Sequence, residues 1–130
     1  MAAVKPSKTA LVVDDDPDIL KLISKYLTRL GFAVTAAADG KSAIKALDSS
    51  RPSLLCLDMM LPEASGYDVC EHVTKSPGLK GLPILMISAR GMPGDRATAE
   101  EVGVSEYLVK PFTQAEFDAH VARALQAHPK

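Results

Sequence analysis

The sequence predicts an α/β domain built on a single parallel sheet, and three observations carry that expectation. Strand-like and helix-like patterns alternate five times along 130 residues, the signature of βαβ units. The third and fourth strand runs, Leu54–Leu57 and Ile84–Ile87, are apolar throughout, as a strand with helices on both sheet faces requires. The strand ends carry polar groups: Asp14-Asp15-Asp16 after Leu11–Val13, Asp58 after Leu57, Ser88 after Ile87 and Lys110 after Val109. A parallel sheet gathers such ends at one edge, where ligands bind.

Taken in order, the first strand is expected over Ala10–Asp14. Asp16-Pro17 then reads as a helix N-cap with proline at the first helical position. Ile19, Leu20, Ile23, Leu27 and Leu30 give the first helix an apolar stripe, and Gly31 can end it. A second strand near Phe32–Ala37 leads through an Asp39-Gly40 turn to a helix over about Lys41–Asp48. After Arg51-Pro52 come the third strand, Leu54–Asp58, a loop over Leu61–Gly66 and a third helix over about Tyr67–Lys75. Pro77, Gly78 and Gly81 mark a turn before the fourth strand, Ile84–Ser88. A fourth helix near Gly94–Val102 carries few large apolar residues, and the fifth strand is Glu106–Val109. Thr113 and Glu116 form a capping-box pattern for a fifth helix reaching about Gln126. That helix nearly exhausts the chain, which predicts a stand-alone domain over residues 9–127, with a flexible extension at 1–8 and a tail at 128–130.

Composition narrows the function. Nearly half the residues are apolar, a quarter are charged, and the net charge of −1 is dispersed, so there is no basic footprint for nucleic acid. No run approaches a membrane span, and the apolar stretch Ala10–Val13 is too short for a signal-peptide core. Cys56 and Cys70 read as buried free thiols rather than a disulfide framework, and the cytoplasm fits best. His72, His120 and His128 lack metal-ligand spacing and read as surface residues.

Asp14, Asp15 and Asp58 would meet at one sheet edge, where packed carboxylates repel one another unless a cation neutralises them. Mg²⁺ is a hard ion that takes carboxylates, waters and phosphate oxygens. A carboxylate can also accept a phosphoryl group, which a nearby ammonium and hydroxyl stabilise. Each residue alone has a plainer explanation: Asp16 caps a helix, Ser88 ends a strand, Lys110 lies on the surface and Tyr107 is a half-buried strand aromatic. Those explanations require independent accidents at the same edge.

Val12-Val13-Asp14-Asp15-Asp16, Asp58 followed by Leu61-Pro62 and Gly66, Ile87-Ser88-Ala89 and Lys110-Pro111-Phe112 together resemble the receiver domain of two-component response regulators. The likeness runs from about residue 9 to 126. It implies a flavodoxin-like, doubly wound (βα)5 fold with strand order 2-1-3-4-5. It implies that Asp58 accepts phosphate from the phosphohistidine of a histidine kinase or histidine phosphotransfer protein. Asp15, Asp58 and the backbone carbonyl of Met60 would bind Mg²⁺, with Asp14 acting through a water. Lys110 would pair first with Asp58 and then with its phosphate. Ser88 would swing toward the phosphoryl group while Tyr107 turns inward, and Lys110-Pro111 would be cis. The surface of the fourth helix, fifth strand and fifth helix would then change for a protein target. No direct nucleic-acid or membrane contact and no enzymatic turnover are expected.

Two further features bear on partners. Leu22 lies about 100° from the centre of the first helix's apolar stripe, at 3.6 residues per turn, with Tyr26 on the same side. Either the core face is wide, or these residues form a docking patch for a kinase or phosphotransfer helix. Gly91, Pro93 and Gly94 suggest a segment, before the fourth helix, that reports phosphorylation.

Three rival functions are weaker. Asp14 and Asp16 resemble the Asp-x-Asp of haloacid dehalogenase-type phosphohydrolases, with Asp14 as nucleophile, Asp16 as acid/base, and Ser88 and Lys110 as the later motifs. That family needs further acidic ligands at another strand end, whereas only Glu116 and Asp118 follow, both on the fifth helix, and Asp58 would have no role. A receiver-like module that is never phosphorylated would not need the full acidic cluster. A flavodoxin-like cofactor binder would need a glycine-rich cradle after the first strand.

Overall fold

The computed structural model describes residues 8–59, 61, 66–88 and 103–126. The expected fourth helix near Gly94–Val102, the Gly91–Gly94 segment, Met60, His128 and most of the two terminal extensions lie outside the described residues.

Five strands form one parallel sheet: β1 (Thr9–Val13), β2 (Ala33–Ala37), β3 (Leu54–Asp58), β4 (Ile84–Ser88) and β5 (Glu106–Val109). Their order is 2-1-3-4-5, as expected. The described α-helices are α1 (Pro17–Arg29), α2 (Gly40–Ser50), α3 (Gly66–Lys75) and a C-terminal helix, Gln114–Gln126, with a 3₁₀ turn at Pro77–Leu79.

Strand alternation sends successive side chains to opposite faces, and both faces are dry. Leu11, Val13, Leu55, Leu57 and Met86 pack against Ala43 and Leu47 of α2 and Val69, Cys70 and Val73 of α3. Ala10, Val12, Leu54, Cys56, Leu85 and Ile87 pack against Ile23 and Leu27 of α1 and Phe117, Val121 and Ala124 of the C-terminal helix. On that second face the Phe117 ring lies 5.5 Å from Tyr26 and 5.8 Å from Phe112, centre to centre. The two cysteines are buried and free; burial pushes the Cys70 thiol up to about 12 and raises Cys56 further.

The expected caps are present. The Asp16 carboxylate accepts from the Asp18 N–H at 2.9 Å, and Thr113 and Glu116 exchange side chain-to-backbone bonds at 3.1 and 2.9 Å. Several boundaries differ from the sequence reading. β1 ends at Val13, although the Asp14 N–H still donates to the Ala37 carbonyl at 3.1 Å. Phe32 precedes β2 and lies in the turn that closes α1, its N–H donating to the Leu27 carbonyl. α2 runs on to Ser50 and stops at Arg51, whose left-handed backbone (φ 47°) takes the place usually held by glycine.

Among the described residues, no helix is long and apolar enough to cross a membrane. His72 and His120 are not plain surface residues. Each is half-buried beside a carboxylate from a neighbouring element, His72 at 2.9 Å from Asp48 and His120 at 3.5 Å from Glu106. These contacts arise between elements, where residue spacing along one helix carries no signal.

Candidate functional site

Register assembles the site. β1 and β3 pair Val13 with Leu57, which sets Asp14 level with Asp58. β3 and β4 pair Asp58 with Ile87, placing Ser88 one residue further along the same edge. β4 and β5 pair Ser88 with Val109, and the Lys110 N–H donates to the Ser88 carbonyl at 2.7 Å. Asp14, Asp58 and Ser88 are buried, while Asp15 is exposed.

Carboxylate oxygens of Asp14, Asp15 and Asp58 all lie within 4.8 Å of one another. The Lys110 ammonium stands 3.2 Å from Asp14 Oδ2 and 3.9 Å from Asp58 Oδ2. The lysine thus pairs with both carboxylates, with Asp14 more closely than with Asp58. Both side chains are buried, Asp14 at 2% and Asp58 at 9% exposure, and a carboxylate taken out of water needs hydrogen-bonded counter-charge. The other Asp14 oxygen, Oδ1, accepts from the Asp16 N–H at 2.9 Å. Both Asp14 oxygens are thus engaged by the protein. Asp16 is a helix cap, as expected, and stands apart from the cluster of three.

Three mutually close carboxylates beside one lysine form a hard-oxygen donor set with excess negative charge, which fits a divalent cation such as Mg²⁺. Met60, the expected backbone ligand, is outside the described residues. Gly66 holds the edge tightly. Its N–H donates to the Met59 carbonyl at 2.9 Å, and a Cβ at this position would lie 2.7 Å from the Asp58 carbonyl oxygen.

The remaining expected residues are also placed. Lys110-Pro111 is cis. Tyr107 is buried, at 7% exposure, with its hydroxyl 3.9 Å from the Met59 sulfur. Leu22 is exposed at 36%, whereas Tyr26 is half-buried against Phe117. The wide-core explanation therefore holds for Tyr26 and fails for Leu22. Sequence reasoning passed over Met59, whose sulfur also takes the Tyr67 hydroxyl at 3.2 Å. The alternation Leu55, Leu57, Met59 was the signal that puts it on the α3 face.

The fold and this edge define a response regulator receiver domain. The response regulator receiver domain family matches residues 10–122, and the chain belongs to it. It is 37% identical over 119 residues to a probable transcriptional regulator, ycf27, of Cyanophora paradoxa, covering 92% of this chain and 48% of that one. The chain thus spans about half the length of the curated relatives it matches. A putative response regulator from Chloroflexus aurantiacus superposes with a TM-score of 0.87 at 35% identity, covering 94% of this chain and 99% of that one. The receiver domain of sensor histidine kinase PA1611 from Pseudomonas aeruginosa, solved with magnesium coordinated in its active site cleft, superposes at 0.83 with 29% identity, covering 92% and 98%.

Proposed function

We infer that this domain is a phosphoacceptor switch in which Asp58 receives a phosphoryl group from a phosphohistidine. The observation that carries this reading is the meeting of Asp14, Asp15 and Asp58 within 4.8 Å, with Lys110 beside two of them. An Asp58 carboxylate oxygen attacks phosphorus in line. The phosphorus–nitrogen bond breaks, its electron pair returns to the donor imidazole, and an acyl phosphate remains on Asp58. Asp15 and Asp58 would hold Mg²⁺ with the Met60 carbonyl, and Asp14, its own oxygens engaged by Asp16 and Lys110, would act through water. Bound Mg²⁺ supplies charge neutralisation between carboxylates and phosphoryl oxygens. Lys110 would exchange a carboxylate partner for the phosphate, and the Ser88 hydroxyl would donate to a phosphoryl oxygen.

The added charge, about −1.5 to −2 near neutral pH, favours the state with Ser88 and Tyr107 drawn inward. The surface of β5 and the C-terminal helix, with the segment where the sequence predicts a fourth helix, then carries the signal to a protein target. A histidine kinase or phosphotransfer helix docks on α1 at Leu22, the one large apolar side chain left exposed among the described residues. The domain takes part in its own phosphorylation and dephosphorylation without turning over a free substrate.

Incubation with acetyl phosphate and Mg²⁺ followed by intact mass is the test. One added phosphate is expected, absent with a chelator and in Asp58→Asn. Phosphate retained in Asp58→Asn but lost in Asp14→Asn would overturn the assignment.

A further inference from the structure

Met59 follows the proposed phosphoacceptor by one residue, yet none of the chemistry above uses it. Strand alternation turns it away from Asp58 and onto the α3 face with Leu55 and Leu57. There its sulfur meets two hydroxyls: Tyr67 donates to Sδ at 3.2 Å, and the Tyr107 hydroxyl lies 3.9 Å from the same atom. Met59 is 9% exposed and Tyr107 is buried, so the sulfur sits out of water. A thioether is a weak acceptor, but it is polarizable and suited to aromatic surroundings. The end of β3, the first turn of α3 and the middle of β5 thus converge on one atom.

We propose that Met59 is a positioning residue whose sulfur holds the Tyr107 side chain in its buried, inward position. The link stands on geometry alone; its consequence for signalling rests on the reading of Asp58 as phosphoacceptor. Met59 is covalently next to Asp58, so a shift of the β3 end on phosphorylation reaches Tyr107 through this contact. Tyr67 steadies the sulfur from the α3 side. A contact made only in the inward state raises the population of that state, and with it the apparent affinity for any ligand that favours it.

The test uses the full chain with ring-labelled tyrosine, observed by NMR without Mg²⁺ or phosphoryl donor. The three tyrosines, Tyr26, Tyr67 and Tyr107, are assigned from their phenylalanine variants. Met59→Leu keeps the volume and apolar character and removes the acceptor. Tyr67 and Tyr107 resonances are expected to move while Tyr26 stays in place, and selenomethionine at residue 59 is expected to preserve the wild-type pattern. If Met59→Leu does not fold, Tyr67→Phe, which takes one hydroxyl off the sulfur, is expected to move the Tyr107 resonance. With Mg²⁺ and beryllofluoride as phosphoryl analogue, Met59→Leu should weaken binding by roughly two- to tenfold, the size of one modest hydrogen bond. That loss should largely vanish when Tyr107 is already phenylalanine. An unmoved Tyr107 resonance in the folded variant, or fully additive losses in the double variant, overturns the proposal. Failure of wild type to bind beryllofluoride would instead remove the phosphoacceptor reading, with the NMR result still deciding the sulfur link.

Discussion

Replacing Gly66 with alanine should damage the site without touching any of its functional side chains. A Cβ at residue 66 would lie 2.7 Å from the Asp58 carbonyl oxygen, 2.9 Å from Met59 Cα and 3.3 Å from the Met59 carbonyl oxygen. All three are backbone atoms, so no rotamer change relieves the clash. Gly66, unlike Gly31, Gly81 and Gly103, is not at positive φ, and the obstacle is therefore space rather than conformation. Ordinary contact begins near 3.4 Å, so the start of α3 and the end of β3 must separate by about 0.7 Å. Overpacking of this kind costs about 1–3 kcal/mol. In urea that corresponds to a midpoint lower by about 1 M. Misplacing a reacting group by about 1 Å can cost about 100-fold in rate, so phosphorylation by acetyl phosphate should slow by roughly 10- to 100-fold. Urea unfolding followed by circular dichroism measures the first quantity, and an intact-mass time course the second. A wild-type midpoint together with a wild-type rate would refute the close approach. A lowered midpoint with an unchanged rate would show that Gly66 serves packing and does not place Asp58.

Two other predictions concern α1 and α2. Leu22→Glu should change stability by no more than about 0.5 kcal/mol, because Leu22 lies outside both cores, while slowing phosphotransfer from the cognate kinase or phosphotransfer protein. Unchanged transfer kinetics in a folded variant would remove α1 as the docking surface. The Asp39 carboxylate, which caps α2, is held below its ordinary value of 3.8, chiefly by the Ser42 backbone N–H, which donates to it at 2.7 Å. Its folded-state value lies below the unfolded one, so its contribution is full above the unfolded value and disappears as pH falls through the folded value. Asp39→Asn keeps a capping acceptor; it should stay close to wild type near neutrality and lose less stability on acidification below pH 3.8. Equal acid slopes for the two proteins would refute that account.

The strands were legible because a strand covered on both faces must be apolar along its length. Leu54–Leu57 and Ile84–Ile87 satisfy that rule and fall where the sheet has its central strands. Caps were legible for a related reason: Asp16-Pro17 and Thr113…Glu116 meet their partners within three residues. The end of α2 was not, because Arg51 adopts a left-handed backbone that its residue type does not announce. Leu22 and Tyr26 look alike by helical angle, and only the ring of Phe117, arriving from the far end of the chain, separates them.

By itself the sequence determined which chemical groups end the strands: Asp14, Asp15, Asp58, Ser88 and Lys110 follow their apolar runs directly, and parallel strands carry whatever follows them to one edge. Tertiary structure alone decided how those groups pair. Lys110 lies closer to Asp14 than to Asp58, Met59 meets two tyrosine hydroxyls, Tyr107 is buried, and Gly66 touches the backbone of Asp58. The physical reason is range. Periodicity and capping act over a few neighbouring residues, whereas these contacts depend on burial and on tenths of an ångström between elements far apart in the chain.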